Sequence, residues 1–171
     1  MFSRHLFLIG MPGSGKSSLG RRAARETGLP FVDTDEMISD ISGMSISDIF
    51  ARYGEESFRK AETGTLAELS RLQPALVSTG GGIILREENR RIMRCWGAIA
   101  FLDRTPEQIM EHLKTEDRPL LQNGGEEALL KLYEERYPIY RSAADFVIRN
   151  DGEYMQTLRR LVSLLKDRLG A

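Results

Sequence analysis

The segment Gly10-Met11-Pro12-Gly13-Ser14-Gly15-Lys16-Ser17 constrains this chain more than any other stretch of it. It fits the pattern G-x-x-x-x-G-K-[ST] in full. An apolar run, Leu6-Phe7-Leu8-Ile9, precedes it, and a helical pattern from Ser17 to Thr27 follows. Glycines in such a loop let backbone N–H groups turn inward around phosphate oxygens with no Cβ in the way. The helix that begins near Lys16 adds the positive end of its dipole. Lys16 supplies a full positive charge, and the Ser17 hydroxyl is the expected magnesium ligand. Gly13, Ser14, Gly15, Lys16, Ser17 and Ser18 therefore form the expected cradle for the phosphates of a nucleotide.

The rest of the chain continues in the same style. Short apolar runs recur at Phe31-Val32, at Ala75 to Ser78, at Ala98 to Leu102 and at Phe146 to Ile148, with helical patterns between them. Continuous apolar strands separated by helices predict a parallel sheet covered on both faces. Ser45 to Asp48 and Thr105-Pro106 read as helix starts. A last helix from about Glu153 to Leu169 carries Leu158, Leu161, Val162 and Leu165 at helical spacing, with Arg159, Arg160 and Lys166 on a solvated face. The polar stretch from Lys114 to Gly125 predicts an exposed connection or a lid.

With 171 residues the chain is the size of one domain, taken here as residues 1–171. Lys and Arg total 24 against 25 Asp and Glu, a net charge of −1. That balance lacks the basic footprint a nucleic-acid binder needs. One cysteine, Cys95, excludes an intrachain disulfide. No run is apolar and long enough to span a bilayer, and the amino terminus does not read as a signal peptide. A cytoplasmic protein without a membrane or nucleic-acid partner is expected.

The residues that would carry chemistry lie after the predicted strands. Phe31-Val32-Asp33-Thr34-Asp35 ends a strand with two acids. In an extended backbone Asp33 and Asp35 point to one side, so that one could serve magnesium through water and the other an acceptor hydroxyl. The competing reading is that Asp35 only caps the next helix. Asp103, after the run Ala98 to Leu102, rivals Asp33 as the magnesium acid. Gly80, Gly81 and Gly82 at the end of the third strand would let a ligand approach the backbone closely. Arg59 and Glu62 are three apart on one helix and can pair, either as a surface salt bridge or as a held anion grip. A guanine-reading N-K-x-D segment is absent, which disfavours a GTPase. A compact domain of this kind with a lid points to a small-molecule kinase, where closure keeps water from the phosphate.

Taken together these segments resemble the shikimate kinase family. The resemblance rests on the phosphate loop, on Phe-Val-Asp-Thr-Asp at 31–35, Ile-Ser-Asp-Ile-Phe at 46–50 and Gly-Glu-Glu-Ser-Phe-Arg-Lys-Ala-Glu at 54–62. It continues through Ser-Thr-Gly-Gly-Gly at 78–82, Arg-Pro-Leu-Leu at 118–121 and Arg-Tyr-Pro-Ile-Tyr at 136–140. It implies a three-layer α/β P-loop kinase fold with a five-stranded parallel sheet, a substrate-binding helical segment at about 35–62 and a lid at about 114–125. The activity implied is transfer of the γ-phosphate of ATP, with Mg2+, to the 3-hydroxyl of shikimate, on the way to chorismate and the aromatic amino acids. Asp35 would bind the acceptor hydroxyl and act as base. Arg59 and Arg136 would hold the substrate carboxylate, with Glu62 placing Arg59. Gly80, Gly81 and Gly82 would meet the substrate through their backbone, and Phe50 and Phe58 would wall its ring. Asp33, rather than Asp103, would serve magnesium through water, and Arg118 would neutralise phosphate charge from the lid. The family often carries an adenine-facing arginine before Arg-Pro-Leu; here that region reads Glu111 to Asp117, so the adenine contacts are not carried over. Another small-molecule kinase such as a gluconate kinase would share the loop but not Asp35, Arg59 and Arg136 together. A non-catalytic nucleotide-binding module should lack Lys16, Asp35 or Arg118. A monomer is the expected state.

Overall fold

The computed structural model describes residues 4–115 and 125–170. The order of elements is β1 (His5–Ile9), α1 (Lys16–Thr27), β2 (Phe31–Asp33), α2 (Thr34–Ser42), α3 (Ile46–Leu69), β3 (Leu76–Ser78), α4 (Glu87–Trp96), β4 (Gly97–Asp103), α5 (Pro106–Thr115), α6 (Gly125–Ala143), β5 (Phe146–Arg149) and α7 (Tyr154–Leu169). The five strands form one sheet in the order β2-β3-β1-β4-β5, and every pairing is parallel. The expected sheet and its five strand positions are therefore found.

The register explains why the strand sequences are apolar throughout. Leu6, Phe7, Leu8 and Ile9 are all fully buried, because alternate side chains enter two different layers. Phe7 and Ile9 join Val77, Ile99 and Phe101 on one face, against Leu66, Leu69, Met93, Ile109 and Tyr140. Leu6 and Leu8 join Leu76, Ala100 and Leu102 on the other, against Leu19, Ala23, Leu158, Leu161 and Leu165. Leu158, Leu161 and Leu165 are thus the buried stripe of α7, and Arg159, Arg160 and Lys166 are exposed, as their spacing predicts. A smaller cluster of Ile38, Ile49 and Phe58 binds α2 to α3.

The helix starts follow their capping chemistry. Ser45 Oγ accepts the Asp48 N–H at 3.1 Å at the start of α3. Thr105 and Gln108 form a reciprocal box at α5: the Gln108 N–H donates to Thr105 Oγ1 at 3.4 Å, and the Thr105 N–H to Gln108 Oε1 at 3.1 Å. α3 is broken at Gly54, where φ is 78° and ψ is 172°. The first half carries Phe50 and the second half Arg59 and Glu62. At its far end α3 is tied to the sheet by buried His5, whose Nδ1 accepts the Ala75 N–H at 3.1 Å while Nε2 meets Leu69 O at 2.9 Å. Nδ1 is the acceptor, so Nε2 carries the proton and donates to Leu69 O.

Because the strands are parallel, their carboxyl ends share one edge. The phosphate loop, Asp33, Ser78, Asp103 and Asn150 all lie at or just after those ends. That edge is where an open α/β sheet places its ligands. Among the described residues no helix is long and apolar enough to cross a membrane.

Candidate active site

The loop at the end of β1 takes the backbone shape its glycines allow. Gly10, Gly13 and Gly15 have φ of 153°, 77° and 92°, values a side chain would strain. A Cβ on Gly10 would lie 2.7 Å from Leu102 O and 3.1 Å from Ser14 Oγ, so the loop also packs too tightly there for any larger residue. Lys16 is buried, and its ammonium donates to Gly10 O and Met11 O, each at 2.9 Å. Burial lowers its pKa from 10.5 to about 8, while Asp35 and Asp33 pull the other way. Ser18 is exposed and its hydroxyl bonds Gly15 O at 3.2 Å.

Ser17 and Asp33 meet across the crevice. The Ser17 hydroxyl donates to Asp33 Oδ2 at 2.6 Å and lies 3.2 Å from Ser78 Oγ. Asp103 sits elsewhere and accepts the Tyr137 hydroxyl at 3.3 Å. The geometry therefore separates two acids that pattern alone left level: Asp33 shares a site with Ser17. Two hydroxyls and a carboxylate are hard oxygen donors of the kind magnesium takes. Among the described residues no group of three or more His, Cys, Asp or Glu could hold a metal by itself. A magnesium ion here would draw its remaining ligands from phosphate oxygens and water.

The extended geometry expected for Asp33 and Asp35 is not found. The strand ends at Asp33, which caps α2 by accepting the Asp35 N–H on Oδ1 at 3.0 Å. Asp35 lies in the first helical turn. The physical reason is that a helix beginning at Thr34 leaves its first N–H groups without partners, and a carboxylate one residue earlier satisfies one of them. It is Asp33 that caps, leaving Asp35 free of that task. Among the described residues Asp35 Oδ1 is buried without a hydrogen-bond partner. Burial and the charge of Asp33 raise the Asp35 pKa; Lys16 and Arg59 oppose that.

Arg59 is buried and grips two acids. Its guanidinium donates to Glu62 Oε2 at 2.7 Å, and to Glu55 Oε1 from Nε at 3.2 Å and from Nη2 at 3.0 Å. Glu62 is fully buried, so the pair is not the surface salt bridge of the bland reading. Burial raises the Glu62 pKa, with Arg59 opposing. Burial works against the Arg59 charge, but Glu62 and Glu55 outweigh it and hold its pKa above the ordinary value. Phe58 is buried and packs on Phe50, ring centroids 4.7 Å apart; Phe50 keeps 37% of its surface exposed.

The three glycines after β3 make room for side chains, a role the expectation of close ligand approach did not include. A Cβ on Gly80 would stand 2.7 Å from Asp35 Oδ1 and 3.1 Å from Glu62 Oε1. On Gly81 it would stand 2.8 Å from Pro12 Cδ, and on Gly82 it would fall onto the Arg59 guanidinium. The triple glycine thus seats Asp35, Glu62, Arg59 and the phosphate loop side by side. Thr79 ties this segment to β1 through Leu8 O, at 2.8 Å from its hydroxyl. Tyr140 ties it to α6 by donating to Gly81 O at 2.6 Å. Burial pushes the Tyr140 pKa up to about 12, so it stays a donor. Arg136 is four residues earlier on the same helical face. Its charge adds to the lowering of the Lys16 pKa and opposes the rise of the Glu62 pKa, as a cation facing the same crevice does. Arg118 and all but the ends of the expected lid, 114–125, lie outside the described residues.

Sequence reasoning missed the roles of Ser78, Tyr140 and Asn150. Asn150 Nδ2 donates to Ser14 O at 2.9 Å, across 136 residues of chain. Each acts through a tertiary contact, and no local spacing announces it.

A parallel sheet in this order, with this loop after its first-numbered strand and paired acids and arginines across the crevice, defines a P-loop kinase-type phosphotransferase domain. Comparison with known proteins narrows the class. The shikimate kinase family model matches residues 12–166. A shikimate kinase of Dictyoglomus turgidum is 42% identical over 168 residues, covering 95% of this chain and 97% of its own. The solved shikimate kinase of Acinetobacter baumannii, in complex with shikimate, superposes with a TM-score of 0.86 at 31% identity, covering 98% of this chain and 93% of that one. A gluconokinase of Sinorhizobium meliloti shares only the fold, with a TM-score of 0.61 at 16% identity over 97% of this chain and 93% of that one. The chain belongs to the shikimate kinase family, whose members are ATP-dependent kinases of shikimate.

Proposed function

We propose that this chain transfers the γ-phosphate of ATP to the 3-hydroxyl of shikimate, giving shikimate 3-phosphate and ADP. The observation that carries this reading is the crevice itself: Asp35 Oδ1, buried and without a partner among the described residues, feels the charges of both the phosphate-loop Lys16 and the held Arg59. In this reading the loop amides of Gly13 to Ser18 and the Lys16 ammonium hold the phosphates and neutralise charge that develops on them. Ser17 would ligate Mg2+ directly and Asp33 through water, and the ion would screen the phosphate charge. Arg59 and Arg136 would take the substrate carboxylate, a geometry that suits guanidinium forks. Glu62 keeps Arg59 in place, and Phe58 with Phe50 borders the ring.

Asp35 accepts the proton of the acceptor hydroxyl as its oxygen bonds to phosphorus and the bridge to ADP breaks. Its raised pKa makes it a stronger base than an ordinary aspartate, and the charges of Lys16 and Arg59 favour its ionised form. Arg118, by its place in the sequence, would add charge to the phosphates from the lid. A monomer of one domain, 1–171, suffices, since every residue invoked comes from one chain; a cytoplasmic location fits a reaction on soluble metabolites.

The position of transfer is tested by the product. Proton and phosphorus NMR after incubation with Mg-ATP and shikimate should show the new phosphorus coupled to the proton on carbon 3. Coupling to another ring position would overturn the placement of Asp35.

A further inference from the structure

We propose that Asn150 and Thr157 form a positioning pair that sets the orientation of the Ser14–Gly15 peptide in the phosphate loop. This rests on the reading that Gly13 to Ser18 hold the nucleotide phosphates. Asn150 follows β5 and is 8% exposed; Thr157, on α7, is fully buried. Two such polar side chains in a core layer need a reason. The Thr157 hydroxyl donates to Asn150 Oδ1 at 2.9 Å. Ser14 O can only accept, so Nδ2 must face the loop, and the Thr157 hydroxyl satisfies Oδ1 on the other side. Nδ2 then donates to Ser14 O at 2.9 Å. The Asn150 backbone N–H is itself held on Asp103 O at 2.8 Å, so the side chain projects from a fixed point on the sheet edge.

The consequence follows from peptide geometry. Ser14 C=O and Gly15 N–H belong to one planar trans unit and point in opposite directions. Anchoring the oxygen on Asn150 turns the Gly15 N–H away from Asn150. Gly15, with φ at 92°, has a residue conformation in which the neighbouring peptide can rotate at little steric cost. A loop of glycines therefore needs an outside anchor to present its amides in one orientation before the phosphates arrive. Asn150 provides that anchor from a distant element, and Thr157 holds the far end of its amide in place. Neither residue touches a reacting atom.

The test is nucleotide binding measured by calorimetry, with ADP and AMP as probes, together with the KM for shikimate. Asn150→Leu keeps the number of side-chain heavy atoms and adds no charge. It should weaken ADP by at least about tenfold, the cost of a lost bond to a buried acceptor. AMP should weaken less, because the diphosphate is what the turned-in loop amides cradle. The shikimate KM should stay within about twofold. Thr157→Val should shift ADP in the same direction, and Thr157→Ser, which keeps the hydroxyl, should restore it. Unchanged ADP affinity in folded Asn150→Leu would overturn the proposal. So would equal losses for ADP, AMP and shikimate, which mark general destabilisation. If Asn150→Leu does not fold, the Thr157→Val and Thr157→Ser pair decides by the same criteria: no difference between them overturns it. Failure of the wild-type chain to bind ADP would instead overturn the phosphate-loop reading on which the proposal rests.

Discussion

Asp35 shows how one side chain acquires its chemistry from neighbours. It is relieved of capping by Asp33, left with a buried oxygen that has no partner among the described residues, and pushed to a raised pKa by burial and by Asp33. Asp35→Asn should cut kcat by about 10²–10⁴-fold, the range for losing a positioned base, and should abolish the acidic limb of the pH–rate profile. The sign is fixed: the wild-type rate falls as pH drops through the raised Asp35 value, because the protonated acid cannot accept a proton. Lys16 gives a second test. Its pKa is lowered to about 8 mainly by burial, and bound phosphates favour its charged form. Above pH 8, ADP binding should therefore take up a proton, seen as a binding enthalpy that changes with the ionisation enthalpy of the buffer. Gly82 is a third. An added Cβ displaces the Arg59 guanidinium, so Gly82→Ala should raise the shikimate KM by about tenfold to a hundredfold, with a smaller effect on the KM for ATP.

At the scale of elements, the strands and helix starts were legible because short-range chemistry decides them. Leu6 to Ile9 is apolar at every position because both faces are covered, and Ser45 and Thr105 cap where their side chains can reach the next N–H groups. The Asp33–Asp35 geometry was not legible. Nothing local says that the strand stops after three residues and a helix begins on the next one. The triple glycine was marked as functional, but the side chains it seats come from α2, α3 and the loop after β1, so only the fold reveals them. Asn150 carried no local signal and Tyr140 was legible only as the end of the motif at 136–140, because their partners are 136 and 59 residues away. The break in α3 belongs to this scale too. Gly54 has a backbone conformation that a side chain resists, and an added Cβ would meet nothing within 4 Å. Gly54→Ala should therefore destabilise the protein by about 1–3 kcal/mol through backbone strain alone. Urea unfolding measures this, and an unchanged midpoint would show that the break is not held by that glycine.

At the scale of the whole molecule, one edge of one sheet collects the site. Five parallel strands end together, and the loops and helices that follow bring the glycine-rich loop, a hydroxyl–carboxylate pair, the buried Asp35 carboxylate and a buried arginine to one crevice. The fold is shared with the gluconokinase. In the proposed reading, Asp35, Arg59 and Arg136 build the acceptor half and select a carboxylate-bearing acceptor. The most direct measurement is therefore ADP release from Mg-ATP with shikimate, with gluconate, and with no acceptor. The account predicts rapid release with shikimate and only background in the other two. Release with gluconate and not with shikimate would leave the phosphate site standing and contradict the acceptor site described here.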